Sequence, residues 1–166
     1  MDVKALYDSG KLTEAQLVRL VRLGILGNSI GITTAQFAEI TGKSIGDAIS
    51  LEEAKTLQHG AINGERENNQ AHAVVTFDDD TFEVNEKSQQ NMNSINQAAM
   101  LDIQNGGSTI FPFRSATNRT HDFTAQQIIQ LALMMVAKVS EIYNESWNLK
   151  AQVDAAETVE DVLNIK

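Results

Sequence analysis

The longest unbroken hydrophobic pattern in the chain lies in residues 124–156, where no glycine or proline interrupts thirty-odd positions. Apolar residues recur at Ile128, Ala132, Met135, Val139, Ile142, Leu149 and Val153, a four-three spacing broken only at Ser146. That spacing predicts a long helix with a heptad seam. Thr124 and Gln127 stand three apart at its start, the arrangement of a capping box. A second apolar row, Ile129, Leu133, Val136, Tyr143 and Trp147, lies beside the first. One row packs a helix on its own domain, and two rows leave two readings open. Either the helix shows one broad core face inside a monomer, or it also meets another chain. For the second reading the candidate interface is the seven seam residues together with Trp147.

Upstream, residues 1–59 read as a small helical module. A first helix over 3–9 stops at Gly10, which suits a left-handed cap. Thr13 and Gln16 cap a second, with Leu17, Leu20 and Val21 on one face and Gly24 as its stop. Thr33 and Gln36 cap a third, which carries Phe37 and Ile40 and ends at Thr41-Gly42. Ser50 and Glu53 begin a fourth, expected to end at Gly60. Residues 60–72 are polar, with Asn63-Gly64 as a turn signal, and are expected to be a linker. Residues 73–166 form the second module. Alternation around the acidic run Asp78-Asp79-Asp80 predicts a hairpin, with Val75 and Phe77 before it and Phe82 and Val84 after it. Asn85 caps a helix striped by Met92, Ile95, Ala99 and Ile103 and stopped at Gly106-Gly107. A second hairpin follows, with Ile110, Phe111 and Phe113 before its turn and Phe123 after it. Pro112 cannot donate to a ladder, so its strand should be an edge. The long helix comes next, and Thr158 opens a short last one. The fold class is α+β and helix-rich, a helical module followed by hairpin, helix, hairpin and long helix.

Charge narrows the partners. The chain has a formal net charge of −9, which disfavours nucleic acid and anionic membrane surfaces. Of its residues 42% are hydrophobic but only 5% aromatic, so the core is expected to be mostly aliphatic. It has no cysteine, which excludes disulfides and thiolate zinc sites and fits a reducing cytoplasm. No apolar run is long enough to cross a bilayer, and the first residues lack the apolar core of a secretory signal, so a soluble protein is expected.

Candidate chemistry is sparse. His59, His72 and His121 share no metal-ligand spacing and are expected to be solvated loop residues. The three aspartates invite calcium, but they lack the glycine and the distant glutamate of an EF-hand loop, so an acidic turn is expected. Ser88, Ser108, Ser115 and Ser140 lie in no nucleophile frame, and no phosphate-cradling glycine loop occurs. Arg114 and Arg119 bracket the second hairpin turn and are expected to offset local acidity. No catalytic residue, cofactor or metal is expected, and the protein is not expected to be an enzyme.

Two resemblances supply what the patterns do not. Leu6, Tyr7 and Gly10 in ALYDSGKLT, the stretch 13–21, and TTAQFAEITGK over 33–43 resemble the XkdX-like proteins of phage and prophage tail clusters. LGNSIGI over 26–32 departs from that family as an insertion before its last helix, and the family has no assigned catalytic residues. Residues 74–166 resemble an uncharacterised domain of proteins encoded beside phage tail fibres. The match is carried by FDDDTFEVNEKS over 77–88, Gly106-Gly107, RSATNRTHDFT over 114–124, Trp147, Leu149, Lys150 and AAETVEDV over 155–162. Phe113 stands where that domain usually has tryptophan. These resemblances imply a bacteriophage tail structural protein, part of a baseplate or tail fibre. Its partners would be itself, as a homo-oligomer with a trimer as one candidate, and other tail or fibre proteins. It would be made in the bacterial cytoplasm and reside in the virion tail. The alternative implied is a tail-fibre assembly chaperone absent from the mature particle.

Overall fold

A computed structural model describes residues 2–166. Its elements run α1 (Val3–Asp8), α2 (Glu14–Ile25), α3 (Thr34–Thr41), a 3-10 turn (Ile45–Asp47), α4 (Leu51–Ala71), β1 (Val74–Phe77) and β2 (Asp80–Glu83). They continue with α5 (Glu86–Gln104), β3 (Ile110–Arg114), β4 (Thr120–Thr124), α6 (Ala125–Ala155) and α7 (Val159–Asn164). The protein is a helix-rich α+β chain with two small antiparallel hairpins.

The chain forms two compact units, Met1–Glu65 with Ser146–Lys166, and Arg66–Glu145. The first is helical. Thr13 and Thr33 accept from the Gln16 and Gln36 amides while each glutamine side chain reaches back to the cap residue, closing two capping boxes. Leu17, Val21, Phe37, Ile45, Ala54 and Ile62 make its core with Val153, Val159 and Val162 of the chain's last stretch. That shared core joins the end of α6 and all of α7 to the N-terminal helices, whereas the sequence pattern places 73–166 in one module.

Two glycines act differently from the sequence expectation. Gly24 does not stop α2, which runs on to Ile25. It provides room instead: a Cβ there would lie 2.3 Å from the Ile32 carbonyl oxygen. The loop that looks like an insertion therefore folds back onto α2, where the Ile32 N–H donates to the Leu20 carbonyl at 3.1 Å and the Ile32 side chain is buried. Gly60 does not stop α4 either. The expected linker over 60–72 is helical as far as Ala71 and takes in both Gly60 and the Asn63-Gly64 pair, because each helical glycine costs only about 1 kcal/mol and Ile62, between the two, is buried in the core.

The second unit holds both hairpins. Asp78 and Asp79 occupy its first turn with φ of 51° and 57°, the left-handed pair that a type I′ turn requires. Val75 pairs with Phe82, and Phe111 with Phe123. Phe82 lies at the centre of an aromatic cluster, with ring centroids 6.0 Å from Phe113, 5.8 Å from Phe123 and 5.4 Å from His121. The core expected to be aliphatic is thus aromatic where the hairpins meet. Asn85 caps α5 through the Ser88 N–H, and Gly106 takes the left-handed conformation that ends it.

Candidate interaction surface and a buried polar cluster

Helix α6 begins as the sequence indicates. Thr124 Oγ1 accepts from the Gln127 N–H at 3.3 Å, and Gln127 Oε1 accepts from the Thr124 N–H at 2.9 Å. Its seam, however, faces its own chain. Ile128, Ala132, Met135 and Ile142 are buried against Val75, Phe82, Val84, Met92, Ala99 and Phe123, with Val139 half-buried beside them. Farther along, Val153 is buried and Leu149 half-buried in the helical core. Ser146, which breaks the seam, is buried too, and its hydroxyl has no hydrogen-bond partner among the described residues. The hairpins and α5 supply enough apolar surface to cover this face, so the seam is an intramolecular core stripe. Of the eight candidate interface residues, only Trp147 is exposed, at 59%.

The second row gives the outward apolar surface. Leu133 is 63% and Val136 60% exposed, and Met134 is exposed beside them. Ile129 is half-buried against the core. One residue separates opposite fates here: Met135 is 2% exposed and Val136 faces solvent. Single apolar surface residues are ordinary, and a group of them on one helix face is a candidate contact site only as part of a larger contiguous patch.

The second feature is polar and was not legible as a site. His121 lies in β4, not in a solvated loop, and its Nε2 donates to Asp80 Oδ2 at 2.8 Å. A carboxylate only accepts, so Nε2 carries the proton. Asp80, expected at a solvated turn, is the first residue of β2 and is 5% exposed. It also accepts from the Thr81 N–H at 2.8 Å and from Thr117 Oγ1 at 2.9 Å, while Arg119 stands 3.9 Å away. The His121 ring stacks on Phe123 at 5.5 Å. One carboxylate thereby ties the two hairpins together inside an aromatic shell. Strand periodicity could have found it, since Asp80 shares a face with Phe82 and His121 with Phe123.

The other groups are accounted for singly. His59 lies in α4 with its Nε2 3.1 Å from the Asp154 carboxylate, and His72 Nδ1 lies 2.9 Å from the Asn68 carbonyl. Asp80 turns inward while Asp79 stays at the turn, so the aspartate run forms no converging cradle. Among the described residues no group of three or more histidine or carboxylate side chains is placed to hold a metal ion. Ser115 Oγ bonds to Thr117 and to the Arg119 backbone. An open groove of about 940 Å³, lined by Glu67, Glu83, Glu86, Lys87 and Arg114 among others, carries charges of both signs.

The Asp80 carboxyl is held well below the usual carboxylate range, first by the His121 hydrogen bond and then by the Thr81 N–H. A carboxyl more acidic in the folded than in the unfolded state stabilises the fold above its unfolded pKa, and that contribution is lost as pH falls through the folded one. Thermal melts should therefore show stability declining below about pH 4, and Asp80→Asn should lower the midpoint at neutral pH while flattening the acid slope. An Asp80→Asn protein with the parent's acid slope would contradict the assignment.

These features define a helix-rich α+β protein whose distinctive surface is an outward apolar row on a long helix. Residues 53–166 match the family model described as a domain of unknown function, DUF4376. The match spans well over half of the chain, and the chain belongs to that family. No curated protein and no solved structure matches it. The described helices include none long and apolar enough to cross a membrane.

Proposed function

We propose that this protein is a structural component of a bacteriophage tail, seated at the baseplate or tail fibre, where it self-associates and bridges neighbouring subunits. The observation that carries the reading is the outward row on α6: Leu133 and Val136 remain exposed after the protein's own core is filled. The resemblance of residues 5–43 to XkdX-like proteins, and of 74–166 to a tail-fibre-locus domain, supplies the setting. A net charge of −9 favours protein partners over nucleic acid. The reading assigns no catalytic step, cofactor or metal.

Mass spectrometry of purified virions tests it. The chain should be present at a fixed stoichiometry with the tail proteins. Its absence from particles, with abundance in infected cells, would overturn the virion role and favour a tail-fibre assembly chaperone that uses the same apolar row.

A further inference from the structure

Each two-stranded hairpin has an outer edge on both of its strands. In an antiparallel ladder, alternate residue pairs bond to each other, and the pairs between them turn their N–H and C=O groups outward. The Ser115 N–H donates to the Arg119 carbonyl at 2.9 Å, so the outward positions of β3 include Pro112 and Arg114. Those of β4 include Asp122 and Thr124, whose N–H goes to the Gln127 side chain. In the first hairpin the Val84 N–H donates to the Ala73 carbonyl at 2.8 Å, which turns Thr81 and Glu83 of β2 outward. The Thr81 carbonyl there accepts from the Ala116 N–H at 2.8 Å. Proline, charge and a covering loop are the usual protections of a sheet edge. Strand β1 has none of them. Val74 and Thr76 turn their N–H and C=O groups outward, and among the described residues these groups meet no partner. Residues 74–77 carry no charge, and Val74 and Thr76 are both exposed.

We propose that the β1 strands of two copies pair edge to edge, antiparallel across a two-fold axis, and join their hairpins into one four-stranded sheet. A row of open backbone groups is satisfied by an extended strand, and this edge fits itself. A one-residue slip would set buried positions against exposed ones, so even positions must meet even ones. Val74 opposite the second copy's Thr76 is the register that uses every open group of both residues in both copies. Val75 then meets Val75 on the core side and Phe77 meets Ala73, all of them buried or half-buried in this chain. One step beyond the strand ends, the exposed His72 of each copy stands against Asp78 of the other, and no carboxylate opposes a carboxylate. The net charge of −9 opposes association at long range, but salt screens it and the backbone bonds do not depend on it. A contact this small is a weak, transient one. The inference deepens the self-association proposed above and gives it a contact separate from the α6 row.

NMR of the full chain at about 0.5 M NaCl, where the Debye length is below 5 Å, tests the pairing. Between about 20 µM and about 1 mM chain, tumbling should slow and the Val74 and Thr76 amides should exchange several-fold more slowly. Thr76→Pro should abolish the association yet melt within a few degrees of the parent, because the N–H it removes makes no bond inside the hairpin. Thr76→Lys, which puts a charge on the edge, should weaken association several-fold. Thr76→Val keeps the N–H and should associate as the parent does. A monomer at both concentrations, or a dimer that survives both Thr76→Pro and Thr76→Lys, would overturn the inference. So would a dimer in which the Val74 amide still exchanges at its dilute rate. A monomeric chain still found in virions would sink this contact and leave the tail reading intact; a β1-paired dimer absent from virions would do the reverse.

Discussion

Gly31→Ala should destabilise the first unit more than any other conservative change in the chain. A Cβ at position 31 would lie 2.1 Å from the Gly24 nitrogen, 2.3 Å from the Gly24 Cα and 2.7 Å from the Leu23 carbonyl carbon. All three are backbone atoms of α2, so no rotamer change relieves the overlap, and the loop must leave the helix. With it go the Ile32 to Leu20 hydrogen bond and the burial of Ile32. Overpacking typically costs about 1–3 kcal/mol when side chains can shift, and a backbone clash should reach or exceed the top of that range. Hydrogen exchange should show α2 and α3 losing protection while β1, β2 and β4 keep theirs. Gly64→Ala is the control, since nothing lies within 4 Å of its would-be Cβ in exposed helix; it should be neutral or mildly stabilising. Equal unfolding midpoints for Gly31→Ala and the parent would refute the close approach.

Phe82→Ala should have the largest effect in the second unit. The ring is fully buried and touches Phe113, His121 and Phe123. Its removal leaves a cavity whose walls belong to two hairpins and α6 and cannot all close on it. A buried phenylalanine truncated in this way costs about 3–5 kcal/mol, part of it from the edge-on and tilted ring contacts. Urea unfolding should show the midpoint falling with little change in slope. A loss below about 1 kcal/mol would mean that the cluster does not bind the hairpins together.

The sequence was most readable where a few adjacent residues decide the outcome. Thr-x-x-Gln at 13, 33 and 124 marks three helix starts because the hydroxyl and amide satisfy orphan backbone groups locally, whatever lies beyond. The first hairpin was similarly plain from strand alternation around Asp78 and Asp79. It was least readable where distant segments decide. Gly24 and Gly60 read as stops, yet one admits a loop and the other rides inside a helix anchored by Ile62. Strand alternation puts Asp80 on the face of Phe82 and His121 on that of Phe123, but no local signal says that the two, forty-one positions apart, meet. The heptad seam was a true pattern with a different destination. Periodicity shows that a face is apolar, not which chain covers it, and here α5 and the hairpins do so.

The central physical claim is that α6 turns one apolar row into its own core and leaves Leu133 and Val136 of the next facing solvent. Two adjacent positions test it most directly: Met135→Lys and Val136→Lys, compared by thermal melts of the full chain. Burying a lysine in place of Met135 should lower the midpoint by on the order of 10 °C or abolish cooperative unfolding. Val136→Lys should melt within about two degrees of the parent, as surface changes do. Equal losses at both positions, or a stable Met135→Lys protein beside an unfolded Val136→Lys one, would contradict the account.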